Sequence, residues 1–349
     1  MNFNNSFKIA NKTIGGNAPT FIIAEMSGNH GHDLQKAKDI ILAAKEAGAD
    51  AIKLQTYTPD TITLNSDSPH FFIKDGPWRG QTLYQLYTQA YTPWEWHPEL
   101  KKLANSIGLI FFSSPFDFSS VDFLEALDCP AYKIASPEII DIPLIQKVAR
   151  TGKPLIFSTG NATLSEINEA INAALELGSH NIALLKCTST YPAPPEEINL
   201  ATIPHMQQSF NCPVGLSDHT LGIGVPIASI GLGASIIEKH FIINRNDDSA
   251  DNFFSATPDE FKAMVTGIRA AEKAVGKITY PLSSNKPQRS IIVTKNIKTG
   301  DVLNEQNIKS LRPGGGLLPK DYSNVLNRKA ACNIPRGSLL TWNMVGAYK

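Results

Sequence analysis

A chain of 349 residues, 42% apolar and 18% charged, is long enough for a large core and for more than one domain. Lys+Arg and Asp+Glu number 32 each, and the formal net charge of zero gives no support to a nucleic-acid or anionic-membrane partner. No apolar run nears the roughly 18 residues of a membrane span, MNFNNSFKIANK lacks a signal-peptide pattern, and Cys129, Cys187, Cys212 and Cys332 show no CxxC spacing, so a cytoplasmic protein with reduced thiols is expected.

In chain order, residues 7–14 read as a short hairpin. FIIAEM (21–26) is a continuous apolar strand ending near Glu25, and Asp33 caps a helix from Leu34 to Ala47. AIKLQT (51–56) is the next strand, with Lys53 and Gln55 on one face. A long, partly helical, aromatic stretch follows, GPWRGQTLYQLYTQAYTPWEWH (76–97). It either lines or covers a sugar site or packs as a small core, with Trp96 and His97 in structural roles. Strands LIFFSS (109–114), AYKIAS (131–136), PLIFST (154–159), IALLKCTS (182–189), PVGLSD (213–218) and SIIEKH (235–240) alternate with helical segments. One of those helices opens at a Thr163–Glu166 capping box.

Eight such units over about 250 residues predict a (β/α)8 TIM barrel over 1–276, with an open doubly wound sheet as the alternative. From Lys277 the texture changes. Residues 277–288 are polar and turn-rich, which predicts a linker, and 289–349 carry short β-type runs with little helix, a small β-rich domain that needs another surface to pack on.

Polar groups gather at the C-terminal ends of the predicted strands: Glu25, Lys53, Gln55, Ser113, Ser114, Lys133, Ser136, Ser158, Thr159, Lys186, Ser189, Ser217, Asp218, His219, Glu238 and His240. In a barrel that edge is the active-site face. His219 and His240 end strands one βαβ unit apart, so a right-handed crossover sets them side by side as half of a metal site. Two nitrogens favour an exchangeable octahedral ion such as Mn²⁺ or Mg²⁺ over structural Zn²⁺.

Lys53, Lys133 and Lys186 sit inside apolar strands, where a charge is costly unless it is paired. Together with nearby serines they suit a phosphate and a carboxylate. Alternatively each pairs with a carboxylate such as Glu25, Glu138 or Glu238. Glu25, beside Asn29 and His30, could accept a proton or orient water. The run LRPGGGLLP (311–319) holds Arg312 on a glycine-rich loop, available as a carboxylate or amide ligand.

The strings IAEMSGNHGHD, DAIKLQTY, SSPFD, YKIASPE, STGNAT, KCTSTYP, GLSDH, IEKHF and RPGGGL, in this order, resemble the sialic acid synthase family along nearly the whole chain. Segment 57–97, Lys186 and Ser189 are similar to its pseudaminic branch. The resemblance implies a barrel joined to an antifreeze-like (SAF) domain. The activity it implies is condensation of phosphoenolpyruvate with the open-chain aldehyde of 2,4-diacetamido-2,4,6-trideoxy-L-altrose. Another amino sugar, giving N-acetylneuraminate or legionaminate, is the alternative.

Carried over by motif, His219 and His240 would hold a divalent metal (Mn²⁺, Mg²⁺ or Co²⁺), and Glu25 would handle the attacking water. Lys53, Lys133, Ser136, Ser158, Ser189 and Ser217 resemble the phosphoenolpyruvate set, and Gln55, Tyr191 and Asp251 the sugar contacts. Arg312 would come from the other subunit of a domain-swapped homodimer.

Overall fold

The computed structural model describes residues 3–280 and 288–348. It divides into two compact units, Met1–Gly276 and Lys277–Lys349. Of the expected linker 277–288, residues 281–287 lie outside the described residues.

The first unit opens with an antiparallel hairpin, β1 (Ser6–Ile9) and β2 (Lys12–Gly15). Eight parallel strands then close on themselves: β3 (Phe21–Glu25), β4 (Ala51–Thr56), β5 (Ile110–Pro115), β6 (Tyr132–Ile134), β7 (Leu155–Ser158), β8 (Ile182–Cys187), β9 (Val214–Asp218) and β10 (Ile236–His240). The closing seam pairs β10 with β3 and sets His240 opposite Glu25. That seam decides the barrel over the open sheet, because an open sheet would leave both strands as edges.

Side chains alternate across each strand, and two separate clusters result. Phe21, Ile23, Ala51, Ile110, Phe112, Ala131, Ile156, Ala183, Leu185 and Ile236 fill the barrel interior, joined by Phe7, Ile9 and Ile14 of the hairpin. The hairpin thus plugs the N-terminal end. The opposite parity, including Ile22, Ile52, Phe111, Leu155, Leu184, Val214 and Ile237, packs outward against the helices.

Local chemistry places the helices. Asp33 Oδ1 accepts from the backbone N–H of Gln35 and Lys36 at 2.8 and 3.2 Å and starts the helix Leu34–Glu46. Thr163 and Glu166 exchange capping bonds at the head of Leu164–Leu175. Among the described residues no helix is long and apolar enough to cross a membrane.

The second unit pairs β11 (Ser290–Val293) with β12 (Ile308–Leu311), and β13 (Arg328–Ala330) with β14 (Val345–Tyr348), both antiparallel. Ile291, Val293, Leu303, Ile308, Val325, Ile334 and Leu340 form its own core. Its α-helical part among the described residues is the single turn Tyr322–Val325. Arg312 is exposed, immediately after β12.

Candidate functional site

Above the apolar plug, the inward positions at the C-terminal ends of the strands turn from aliphatic to charged. Ile23 gives way to Glu25, Ala51 to Lys53, Ala131 to Lys133 and Ile236 to Glu238, two residues on in each case. All four charged residues are buried. Lys53 Nζ lies 2.6 Å from Glu25 Oε2 and 3.6 Å from Glu238 Oε1. Lys133 Nζ donates to Glu238 Oε1 at 2.9 Å.

Burial opposes the charge on Lys53, but the carboxylates of Glu238 and Glu25 outweigh it and raise its pKa. For Lys133 burial wins, with the Lys53 charge adding to it, and the pKa falls despite Glu238. Burial alone would raise Glu238, yet the two ammonium groups beside it hold it down at about 2. With two cations set against two carboxylates, the lysines do not by themselves make a strongly cationic cavity. The other expectation, that lysines pair with carboxylates, holds for Lys53 and Lys133.

Binding capacity that is still unused lies beside this layer. Ser158 Oγ and Ser189 Oγ are buried and have no hydrogen-bond partner among the described residues, and Glu238 Oε2 has none either. Ser136 Oγ accepts the Gly160 N–H at 3.1 Å, Ser114 Oγ accepts from Lys53 Nζ at 3.3 Å, and Ser217 Oγ donates to Glu238 Oε1 at 3.3 Å. A Cβ on Gly160 would stand 2.4 Å from Ser189 Oγ and 2.7 Å from Ser136 Oγ, so the space between these hydroxyls exists because residue 160 has no side chain. Buried hydroxyls without partners are costly, and a row of them around one space is what an oxyanion would satisfy.

The paired histidines stand at the mouth. The register aligns Lys239 with Asp218, so the next residues, His240 and His219, are neighbours, with ring centroids 5.4 Å apart. His219 Nδ1 lies 2.8 Å from the Thr188 carbonyl, which takes its proton and leaves the Nε2 lone pair available. His240 Nδ1 faces Asp251 Oδ2 at 3.5 Å, which favours the same tautomer. Two adjacent imidazoles, His219 with Nδ1 hydrogen-bonded and His240 with Nδ1 facing a carboxylate but without a hydrogen bond among the described residues, fit a divalent cation that completes its shell with water or substrate oxygens.

Other buried histidines differ. His97 uses both nitrogens, on Thr56 Oγ1 at 2.9 Å and the Pro93 carbonyl at 3.2 Å, in keeping with the structural role expected for it.

Tyr191 packs its ring 4.4 Å from that of His219, and Gln55 Nε2 donates to Glu25 Oε1 at 3.1 Å and Ser27 Oγ at 3.0 Å. Lys53, Gln55, Lys133, Ser136, Ser158, Tyr191, His219 and His240 line one cavity, together with Ser114, Cys187 and Glu238.

Some expectations fail. Lys186 has the parity of Leu184, which faces the helices, and its Nζ bonds to the Cys187 carbonyl at 2.8 Å and to Thr188 Oγ1 at 3.2 Å. It does not join the other two lysines. Asp218 also points outward, closing on Lys239 at 2.5 Å, so the carboxylate facing the cavity beside the histidines is Glu238.

Asn29 and His30 do not gather at Glu25. Asn29 braces the loop that carries Asp251, bonding to Phe241 O at 3.0 Å and Ser255 Oγ at 2.8 Å, while His30 bonds to Thr92 at 3.0 Å. Arg312 lies in the second unit.

The residue order set Ser114 on the active-site edge without a role, and did not single out Gly160 or Cys187 for the site. For Ser114 the signal was there, since period two from Ile110 and Phe112 points it inward. For Cys187, burial would raise the thiol, but His219, Ser136 and Lys133 outweigh it and lower it to about 6.

Comparison with known proteins agrees with this fold. The NeuB family model matches residues 40–280 and the SAF domain model residues 288–346. A pseudaminic acid synthase of Campylobacter jejuni is 45% identical over 92% of this chain and 95% of that one. A pseudaminic acid synthase of Helicobacter pylori is 46% identical over 90% of this chain and 94% of that one. The crystal structure of N-acetylneuraminic acid synthetase from Leptospira borgpetersenii superposes with a TM-score of 0.72 at 31% identity, covering 81% of this chain and 94% of that chain. The closed eight-stranded barrel and the small β-rich unit that follows it fall in the ranges matched by these two family models, and the chain belongs to the NeuB family.

Proposed function

We propose that the protein condenses phosphoenolpyruvate with the open-chain aldehyde of 2,4-diacetamido-2,4,6-trideoxy-L-altrose and water, giving pseudaminic acid and phosphate. The observation that carries this reading is the coincidence of two things. Relatives named for pseudaminic acid synthesis match over more than nine-tenths of the chain. The interior of this barrel also offers partnerless hydroxyls and paired lysines beside two adjacent imidazoles.

In this reading Ser136, Ser158, Ser189 and Ser217 take the phosphate and carboxylate oxygens of phosphoenolpyruvate, with Lys53 and Lys133 supplying charge. His219 and His240 hold a divalent cation, which when bound polarises the aldehyde oxygen. The C2=C3 electron pair of the enol forms the new bond from C3 to the aldehyde carbon. Water adds to C2 and gives its proton to Glu25, which Lys53 and Gln55 hold in place. The tetrahedral C2 then expels phosphate by breaking its C–O bond; its hydroxyl proton leaves with the phosphate, the proton on Glu25 passes to the former aldehyde oxygen, and the 2-keto acid remains.

Gln55, Tyr191 and Asp251 face the sugar, and Asp251 also steadies His240. The protein works in the cytoplasm as a domain-swapped homodimer in which Arg312 of the partner subunit reaches the sugar.

The test is incubation with phosphoenolpyruvate, Mn²⁺ and one amino sugar at a time, following phosphate release and product mass. The expected result is a nonulosonic acid from the diacetamido-altrose alone, abolished by a chelator and restored by Mn²⁺. Turnover of N-acetylmannosamine alone would move the assignment to N-acetylneuraminate synthesis, and full turnover under chelator would remove the cation from it. Arg312→Ala should raise KM for the sugar and leave that for phosphoenolpyruvate alone.

A further inference from the structure

Next to the catalytic cavity lies a second, larger space that the reaction as described leaves without a role. It is a cleft of about 890 Å³ between the aromatic segment at 77–91 and the loop at 248–253. We infer that this cleft reads the acylamino group of the sugar that lies farther from the aldehyde, and that Gln81 is its specificity-determining residue. The inference rests on the proposed function and adds to it the place where the sugar is told apart from others.

The first observation is position. Trp78 lines the cleft, its ring is 5.8 Å from that of Tyr191, and Tyr191 is 4.4 Å from His219. A sugar whose aldehyde sits at the histidines thus has its far end at Trp78.

The second is that the cleft is built. The Trp78 indole donates to the Ala250 carbonyl at 2.9 Å, tying its two walls together. Ile73 N–H donates to Gln81 O at 2.9 Å and Gly80 N–H to Ile73 O at 3.0 Å, which pins the backbone at Gln81. Thr82 and Gln85 then exchange capping bonds at the head of the helix Leu83–Ala90.

The third is an unmet demand. Gln81 Oε1 is buried and has no hydrogen-bond partner among the described residues, so the cleft wants a donor at that point.

The lining then selects the ligand class. Among the described residues neither lysine nor arginine lines the cleft and Asp248 does, so an anionic group is disfavoured there. Its amides and rings, Gln81, Gln89, Asn252, Trp78 and Tyr91, match a neutral secondary amide. The amide N–H meets Gln81 Oε1, and the acyl methyl lies against the aromatic faces. A free hydroxyl could supply a donor but would leave those rings unused.

The experiment compares two sugars, 2,4-diacetamido-2,4,6-trideoxy-L-altrose and N-acetylmannosamine, with the full-length protein and its Gln81→Leu and Gln81→Glu variants. Gln81→Leu should lower kcat/KM for the diacetamido sugar about tenfold through KM, with kcat and the KM for phosphoenolpyruvate unchanged. Any trace rate with N-acetylmannosamine should stay as it was, so discrimination narrows. Gln81→Glu keeps an acceptor and should keep most of the preference.

Calorimetric binding of phosphoenolpyruvate alone, unchanged in both variants, reports that the barrel is intact. An active wild type whose Gln81→Leu variant loses neither sugar, or both alike, overturns this inference alone. A wild type inert toward the diacetamido sugar overturns the functional reading and this inference with it.

Discussion

The strand pair β9–β10 carries two ion clusters on opposite faces, and they behave differently. Outward, Asp218 and Lys239 close on each other at 2.5 Å, Lys239 also donates to the Thr220 carbonyl at 2.6 Å, and Asp218 accepts from Thr220 N–H at 3.1 Å. Inward, Glu238 meets Lys133 and Lys53, but its second oxygen and two neighbouring serine hydroxyls have no hydrogen-bond partner among the described residues. Both clusters are buried and both are paired. The difference is saturation. A cluster that spends its hydrogen bonds on itself holds the fold together, and one that keeps some unspent is waiting for a ligand.

Removing a group from the inward cluster should show the largest effect. Glu25→Gln is expected to lower kcat by about 10²–10⁴-fold while the thermal midpoint stays close to wild type, measured by phosphate release and calorimetry. A small loss of rate with a large loss of stability would assign Glu25 to structure instead.

The outward cluster should behave the other way round. Asp218→Ala leaves Lys239 buried without its partner and should cost about 3–5 kcal/mol in denaturant unfolding. Phosphoenolpyruvate binding by the folded fraction should persist. If binding fails while stability holds, the two faces are not separable as described.

A finer test is Gly160→Ala. The glycine has no need of unusual backbone dihedrals, since its φ is not positive, so the added methyl acts through space alone. Phosphoenolpyruvate affinity should fall about tenfold by calorimetry, in line with the loss of one or two hydrogen bonds to an anion. Gly160→Ala combined with Ser189→Ala, which removes the closest clashing atom, should lose less than the two single effects summed.

A separate test, of pH dependence, concerns the histidines that have no function in this reading. Burial lowers His30 to about 3 and His97 to about 4, whereas the unfolded chain titrates near 6.5. Below that value the unfolded state binds protons that the folded state refuses. Stability is therefore full above about pH 6.5 and declines through about pH 4 for His97 and pH 3 for His30. The slope is about 1.4 kcal/mol per pH unit for each histidine. Chemical denaturation of His97→Asn across that range should show a shallower slope than wild type. An identical slope would mean that His97 does not titrate between the two states.

Much of this was legible from residue order, and the reasons are physical. Eight apolar runs separated by capped helices have few ways to bury both sheet faces, and the barrel is one of them. Parallel strands put every C-terminus on one edge, so Glu25, Lys53, Lys133, His219 and His240 could be placed together without coordinates. The histidine pair followed from two strands one crossover apart, and their register bears it out.

What stayed hidden depended on which way a side chain points at a strand end and on what meets it across the barrel. Lys186 looked equivalent to Lys53 and Lys133 as a lysine in an apolar strand, yet a shift of one residue turns it toward the helices. Asp218 and Glu238 looked like equal neighbours of the histidines, and opposite parity gave one to Lys239 and the other to the cavity.

Gly160 carries no functional group to notice, and its role is the volume it leaves empty between serines 24 and 29 residues away in sequence, Ser136 and Ser189. The amino-acid order by itself determined the barrel and the edge that carries the candidate site, because periodicity and strand direction are local properties repeated along the chain. The tertiary structure alone decided which charges are saturated, which hydroxyls lack partners and where Gln81 looks, because each is a contact between segments far apart in sequence.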